Sequence, residues 1–233
     1  SYRELLASQP DRADLCGLLG NNLVRQRRVD EAVHWLARAT HIDANVPEAH
    51  YMLGGALSSL GRHEEAVRAL RAALALRRDF PAALNCLANT LMVAGRRAEA
   101  EVAYLQAHAL QPGLGEIAAN LATLYMAEGW VTEALRWYRQ AWMTNPALSE
   151  AHGNYVACLN YDDATTPEDN FAAHRAWAER HADPLRASSR PHANDATPGR
   201  RLRVGYVSSN FIEHPATYFL ESTMQNHDPS VVE

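Results

Sequence analysis

A histidine near the C-terminal end is the side chain best suited to acid–base chemistry. His214 stands directly before Pro215, where the sequence predicts that a helix begins. An imidazole titrates near neutral pH and can transfer a proton. The positive end of the helix dipole would favour its neutral form. The alternative is that His214 only caps the helix, and both interpretations stay open.

Asparagines are the second group of chemical interest. Asn85, Asn89, Asn120 and Asn154 fall on predicted first helices of a repeating helix pair, and the last two lie 34 residues apart. A side-chain amide offers one acceptor and two donors, which match both polar groups of a peptide backbone whatever its sequence. We therefore expect a peptide-binding role. A solvated polar face or a local cap is the alternative for all four, and the favoured one for Asn85 and Asn89.

Metal and redox chemistry find no support in the sequence. Cys16, Cys86 and Cys158 are far apart and form no CxxC pair, so we expect reduced, packed thiols. Many histidines fall on predicted second helices or turns without paired metal-ligand spacing: His34, His41, His63 and His108. We expect no metal, and no cofactor bound by this chain.

The elements that must position these side chains repeat every 34 residues. Small residues recur at the eighth and twentieth positions of each unit, and a bulky residue at the twenty-fourth. The three series are Gly20, Gly54, Ala88 and Ala122; Ala32, Ala66, Ala100 and Ala134; and Tyr2, Leu36, Leu70, Tyr104 and Tyr138. Small residues let two antiparallel helices approach, while bulky ones fill the layer between them. The pattern resembles the tetratricopeptide (TPR) repeat.

This periodicity predicts an all-α TPR superhelix, right-handed and elongated, with first helices lining a concave groove. Four full repeats are placed at 13–46, 47–80, 81–114 and 115–148. A residual second helix is expected at 1–12 and an unpaired first helix at about 149–161. Glycines mark the turns between paired helices at Gly61, Gly95 and Gly129, whereas the first repeat has Arg27 there.

Basic side chains are nearly absent among the residues expected to face the groove. These residues include Glu48, Tyr51, Met52, Asn85, Asn89, Met92, Asn120, Thr123, Asn154 and Asn160. A clamp for a C-terminal carboxylate needs Lys, Arg and Asn in successive first helices, so we expect extended protein or peptide segments instead. An aromatic cluster in the last full repeat is predicted to be core: Tyr125, Trp130, Trp137, Tyr138 and Trp142.

The chain changes character after the repeats. Residues 162–200 are predicted to form an adaptor helix and a linker, with Thr166 as the helix N-cap and Pro167 as its first residue. Residues 201–233 are predicted to begin an α/β nucleotide-binding-like domain, with a strand at about 201–209, a polar loop, and the helix from Pro215. One strand and one helix cannot bury their apolar faces, so a truncated domain is expected.

Composition narrows the class of protein. The 233 residues are 47% hydrophobic and carry a net charge of −5, which argues against a nucleic-acid binder. No apolar run long enough to span a membrane, no secretory signal pattern and no polybasic patch occurs, so we expect a cytoplasmic protein without membrane binding. All 22 basic residues are Arg, which is typical of coding bias in a GC-rich bacterial genome.

The segment 201–211 reads Arg-Leu-Arg-Val-Gly-Tyr-Val-Ser-Ser-Asn-Phe and is followed by His214 and Pro215. After TPR units, it resembles the first strand and loop of the catalytic region of protein O-linked N-acetylglucosamine transferases. Residues 159–162 and 172–181 are similar to the joining region of bacterial members. The resemblance implies a transferase with two nucleotide-binding lobes, which moves N-acetylglucosamine from a UDP-sugar donor to Ser or Thr of a protein threaded through the groove.

The resemblance also implies residue roles. Asn120 and Asn154 match the family's asparagine ladder, while Leu18, Met52 and Cys86 depart from it. His214 matches the family's active-site histidine, with a general-base or substrate-positioning role. Two nearby positions differ from common family residues, namely Asn210 for an Asp and Tyr218 for a second His of many animal members.

Three hypotheses remain open. The chain is the recognition region and catalytic-lobe start of such a transferase, and it is inactive by itself because the second lobe builds the donor site. Alternatively, it is a non-enzymatic TPR adaptor, or part of a transferase for another sugar or acceptor.

Overall fold

The computed structural model describes residue 9, residues 11–188 and the separate positions 197, 201, 203, 221, 225, 226, 228 and 230. Contacts divide the chain into two units, Ser1–Ala187 and Ser188–Glu233. In the second unit, Asp228 Oδ1 accepts hydrogen bonds from the backbone N and Oγ of Ser230. Most of the predicted α/β segment and most of the predicted helix at 1–12 lie outside the described residues.

The first unit is an all-helical TPR superhelix, and residues 11–188 contain no strand. Its helices are α1 (Ala13–Arg25), α2 (Val29–Ile42), α3 (Pro47–Ser59), α4 (His63–Leu76), α5 (Pro81–Val93), α6 (Arg97–Leu110), α7 (Gly115–Ala127), α8 (Val131–Thr144), α9 (Ser149–Cys158) and α10 (Pro167–His181). A 3₁₀ turn follows α9 at Leu159–Tyr161, and a six-residue 3₁₀ segment follows α10 at Asp183–Ser188. No helix of the described residues is long and apolar enough to cross a membrane.

Prolines and turn residues place the helix boundaries. Pro47 and Pro81 open α3 and α5, where the missing N–H costs nothing. Between paired helices the backbone turns through a left-handed residue, with φ of 74°, 76° and 78° at Gly61, Gly95 and Gly129. Arg27 occupies the same turn of the first repeat at φ 60°, a conformation that costs a non-glycine residue free energy. The turn of the first repeat therefore adopts the left-handed conformation even though it has no glycine.

The core follows the 34-residue series. In the first repeat Gly20 faces Leu36, and a Cβ on Gly20 would lie 2.5 Å from Leu36 Cγ. In the third repeat Ala88 and Tyr104 occupy the corresponding positions, and both are buried. Glycine is thus combined with leucine and alanine with tyrosine, which keeps the distance between paired helices compatible with each pair of side chains.

Two expectations about packing need correction. Trp130 is 51% exposed and stacks on Tyr125, with ring centroids 5.6 Å apart, so it is not a core residue like Tyr125, Trp137 and Tyr138. It is the N-cap residue of α8, at the turn where the chain leaves the layer between the helices. All three thiols are free, but Cys86 is only partly buried.

Helix α10 stands outside the repeat pattern. Thr166 Oγ1 accepts a hydrogen bond from Asp169 N at 3.1 Å, which is the capping contact predicted from the sequence. None of the fifteen residues of α10 is buried. Its attachment to α9 therefore depends on a few specific contacts rather than on a core.

Candidate functional site

The polar candidate site is a cleft between α7 and α9, two successive first helices. This amide cleft has a volume of about 130 Å³ and is lined by Glu116, Ala119, Asn120, Thr123, Leu148, Glu150, Ala151 and Asn154. Its two asparagines occupy the sixth position of their units, where side chains of successive first helices face the same space. The structure thus brings together Asn120 and Asn154, the pair that the sequence singles out.

The hydrogen bonds of the two asparagines leave much of their capacity unused. Asn120 Nδ2 donates to Asn85 Oδ1 over 3.1 Å, which orients the Asn120 amide. Its Oδ1 accepts no hydrogen bond from any residue that the structure describes. The Asn154 side chain is half-buried and has no hydrogen-bond partner within the described part of the chain. Both amides can therefore bond to a ligand in the cleft.

The other candidate asparagines differ in their surroundings. Asn85 supports Asn120 as its acceptor and lies outside the lining of the cleft. Asn89 Oδ1 accepts a hydrogen bond from the Tyr104 hydroxyl at 2.5 Å, which ties it to the second helix of its own repeat. Asn160 donates to Ala157 O over 3.0 Å. These contacts favour structural roles for Asn89 and Asn160.

A second cleft occupies the corresponding place between α1 and α3. This apolar cleft has a volume of about 700 Å³ and is lined by Asp11, Arg12, Ala13, Asp14, Gly17, Leu18, Asn21, Ala39, Ile42, Asp43, Val46, Ala49 and Met52. Leu18 and Met52 stand at the sixth position, where the amide cleft has Asn120 and Asn154. The cleft can therefore receive a bulky apolar side chain.

The sixth position changes chemistry along the array. It is Leu18, Met52, Cys86, Asn120 and Asn154 in successive first helices. Burial raises the pKa of the Cys86 thiol to about 11, so the thiol is neutral near neutral pH and behaves as a small apolar group. The series thus runs from apolar to amide, and only its last two members can hydrogen-bond strongly to a backbone.

Charge in the two clefts is mainly negative. Glu116 and Glu150 line the amide cleft and form no ion pair within residues 11–188, while no basic residue lines it. Both lie in the first turn of a helix, where the dipole stabilises a carboxylate. In the apolar cleft, the hydrogen bond from Arg12 lowers the pKa of Asp14 to about 2. The electrostatics therefore disfavour anionic ligands.

The part of the chain that the structure describes contains neither the candidate acid–base residue nor a metal-binding cluster. His214 lies outside the described residues, so its surroundings are not part of the site. Within the described residues, no three or more His, Cys, Asp or Glu side chains form a group that could hold a metal ion.

A histidine pair between α9 and α10 was missed by sequence reasoning. His152 Nδ1 and His181 Nε2 lie 3.0 Å apart. The two residues are 29 positions apart and belong to helices with different phase, so no spacing rule connects them. Burial foremost, then the neighbouring His181 and Arg180, lower the pKa of His152. The one usable signal is that His152 falls on the small-residue face of a predicted first helix.

Comparison with known proteins supports the class that the fold defines. The family model described as tetratricopeptide repeat matches residues 18–81 and 51–114. The solved structure of YrrB, described as a TPR protein with an unusual peptide-binding site, shares the fold with a TM-score of 0.62 and 17% identity, over 81% of this chain and 97% of that one. The first unit is a TPR array.

More particular similarity is to glycosyltransferases. A probable UDP-N-acetylglucosamine–peptide N-acetylglucosaminyltransferase SPINDLY of Hordeum vulgare is 33% identical over 75 residues, which are 32% of this chain and 8% of that protein. A mutant O-GlcNAc transferase of Thermobaculum terrenum matches with a TM-score of 0.61 and 28% identity, over 80% of this chain and 36% of that one. The chain thus spans a small part of the curated relatives that it matches.

Proposed function

We propose that the TPR array binds extended segments of other proteins in its concave groove, with the bound backbone held in the amide cleft. The observation that carries this proposal is that Asn120 and Asn154 share one cleft and keep unused hydrogen-bonding capacity. An amide can donate to a backbone carbonyl and accept from a backbone N–H at once, so two amides on successive helices suit an extended chain.

The clefts also indicate which segments fit. No basic residue lines the amide cleft, so a terminal carboxylate or an acidic segment would meet Glu116 and Glu150 without a counter-charge. The apolar cleft offers Leu18 and Met52 to a bulky apolar side chain. The proposed ligand is therefore a neutral or basic extended segment that carries an apolar residue.

Peptide affinity tests the proposal directly. A twelve-residue peptide is first selected from a random library on the full chain, and its dissociation constant is then measured by fluorescence anisotropy. The double variant Asn120→Ala/Asn154→Ala loses two backbone hydrogen bonds, each worth about 0.5–1.5 kcal/mol, so the affinity should fall roughly 5- to 160-fold.

The matched control is Asn22→Ala. Asn22 is an asparagine of a first helix whose Oδ1 accepts from Gln26, and it lines neither cleft. Its replacement should leave the affinity within about twofold, since surface substitutions away from a binding site have small effects. Equal affinities for the double variant and the wild type, with unchanged helix content, would count against the amide cleft.

A second function is favoured by the similarity to transferases together with the residues around His214. In this proposal the array presents Ser or Thr hydroxyls of the bound segment to a UDP-N-acetylglucosamine-dependent catalytic region, and His214 accepts the hydroxyl proton or positions the acceptor. The UDP-sugar donor would be held by a longer native product rather than by these residues. A TPR adaptor without catalysis, or a transferase for another sugar, is the competing proposal.

The native gene product distinguishes these proposals. Its intact mass in the source cells is compared with that of 233 residues, and UDP release from UDP-N-acetylglucosamine is then assayed for the purified native product and for its His214→Ala variant. Turnover that His214→Ala reduces at least about 100-fold, a loss typical of a missing general base, supports the transferase. Absence of turnover with peptide binding intact supports the adaptor.

A further inference from the structure

The contact between α9 and α10 includes two imidazole rings in hydrogen-bond distance. His152 Nδ1 lies 3.0 Å from His181 Nε2. One ring must donate its N–H and the other must accept with a bare nitrogen, so at least one ring has to be neutral. A single proton taken up by the pair keeps the bond, whereas a second proton removes the acceptor. The contact is therefore incompatible with two charged rings.

The surroundings of His152 oppose the charged state. The residue is 95% buried, being 5% exposed, and its ring stacks on Trp142 of α8 with centroids 4.3 Å apart. Within residues 11–188, the charged groups that act on it are His181 and Arg180 of α10, both basic, and no carboxylate does. Stacking on Trp142 would favour an imidazolium. Burial, His181 and Arg180 all lower the pKa of His152.

The remaining contacts that hold α10 are sparse. Trp177 Nε1 donates to Ser149 O over 3.3 Å, and Asn170 Nδ2 donates to Asn160 Oδ1 over 2.8 Å. The indole of Trp177 also lies over Gly153 and near the ring of His181. No residue of α10 is buried. With so little apolar burial, the state of the histidine pair decides whether α10 stays attached.

We propose that His152 and His181 form a pH-sensitive latch, which holds α10 against α9 near neutral pH and releases it in mild acid. The direction follows from proton linkage. Since His152 has its pKa below the ordinary 6.5 when α10 is attached, the detached state binds more protons. Attachment is therefore complete above about pH 6.5 and is lost progressively as the pH falls below that value. This regulation is independent of the proposed peptide binding.

Hydrogen exchange of the full chain measures the latch. Exchange of the backbone amides of α9 and α10 is followed at pH 7.5 and 5.5 and corrected for the intrinsic pH dependence of the chemistry. Protection of residues 171–181 should fall at pH 5.5 by up to about tenfold, which is the most that a single group with an ordinary pKa of 6.5 in the detached state can contribute one pH unit below that value. Protection of α7, which lies away from the pair, should stay constant.

Two variants, one on each helix of the contact, make the test specific. His152→Gln retains a polar side chain but removes the buried group whose protonation is linked to attachment, so the difference between pH 7.5 and 5.5 should disappear. His174→Gln is the matched control, because among the described residues His174 Nδ1 bonds only to Asn170 O of its own helix. It should release α10 in acid as the wild type does.

Three results would overturn the latch. They are wild-type protection of α10 that is the same at both pH values, a His152→Gln variant that keeps the wild-type pH dependence, and a His174→Gln variant that loses it. If His152→Gln detaches α10 already at pH 7.5, the pair is required for attachment. The acid release of the wild type and of His174→Gln then still decides the proposal.

Discussion

Hydrogen-bond partners separate side chains of the same type. Asn89 is bonded to a tyrosine of its own repeat, whereas Asn154 has no partner among the residues that the structure describes. The sequence assigns all candidate asparagines to first helices, but it does not show which amides are already satisfied. That distinction depends on neighbours from other helices. It leaves Asn120 and Asn154, which line the amide cleft, as the candidates for peptide binding.

A single turn residue provides a stability test at the same scale. Arg27 is exposed and left-handed, with φ 60°, where three later repeats have glycine. A left-handed backbone costs a non-glycine residue about 1–2 kcal/mol, and the greater freedom of glycine in the unfolded chain offsets roughly half of that. Arg27→Gly should therefore raise the free energy of unfolding by about 0.5–1 kcal/mol in urea denaturation.

The reverse substitution in the next repeat is the control. Gly61 has φ 74° with open space around its Cα, so Gly61→Ala introduces left-handed strain without a clash. We expect it to lower the free energy of unfolding by about 1 kcal/mol. An Arg27→Gly variant no more stable than the wild type would show that this turn carries no strain.

Helix pairs are held at a distance set by complementary small and large side chains. Gly20 with Leu36 and Ala88 with Tyr104 are two solutions of one packing problem, and in the second the tyrosine hydroxyl bonds to Asn89 at the ninth position. The first repeat has Asn21 at that ninth position. It thus already contains the polar partner that a tyrosine would need.

A double-mutant cycle tests this complementarity. Gly20→Ala places a Cβ 2.5 Å from Leu36 Cγ and should lower the free energy of unfolding by about 1–3 kcal/mol. Adding Leu36→Tyr recreates the arrangement of the third repeat. The double variant should be at least about 1 kcal/mol more stable than the sum of the single effects predicts, as measured by urea denaturation.

The second repeat supplies the comparison for this cycle. Gly54→Ala/Leu70→Tyr reproduces the same pair of sizes, but Gly55 stands at the ninth position and offers no side-chain partner to the hydroxyl. Relative to the wild type, this double variant should be less stable than its counterpart in the first repeat by about 1 kcal/mol, the cost of an unpaired buried hydroxyl. If the effects of Gly20→Ala and Leu36→Tyr are additive, leucine at the twenty-fourth position does not require glycine at the eighth position.

At the scale of the whole molecule, periodicity predicted most of the fold. The 34-residue series places Leu36, Leu70 and Tyr104 in the core, and the structure buries all three. Contacts outside the series were not predictable. His152 lies on a helix of the 34-residue pattern and His181 on a helix outside it. Trp130 is aromatic like several core residues, but it lies at an exposed turn. A sequence repeat predicts contacts between neighbouring units, and it predicts no contacts beyond its last unit.

The candidate site was predicted in part for the same reason. The equivalence of Asn120 and Asn154 is visible in the sequence, because both occupy the sixth position of a unit. The apolar cleft is not visible, since Leu18 and Met52 look like any helix residues until their positions are compared in space. The two clefts therefore differ chemically, and in the proposed function an extended ligand would contact the array at both.

The measurement that tests the central claim most directly is site-specific photo-crosslinking of the selected peptide. A benzophenone side chain is introduced at Ala119, which lines the amide cleft, and in a control protein at Val102, which is 55% exposed on the second helix of the preceding repeat. The account predicts an efficient crosslink from position 119 that excess unlabelled peptide abolishes, and none from position 102. Crosslinking from position 102 alone, or equally from both positions, would contradict binding in the groove.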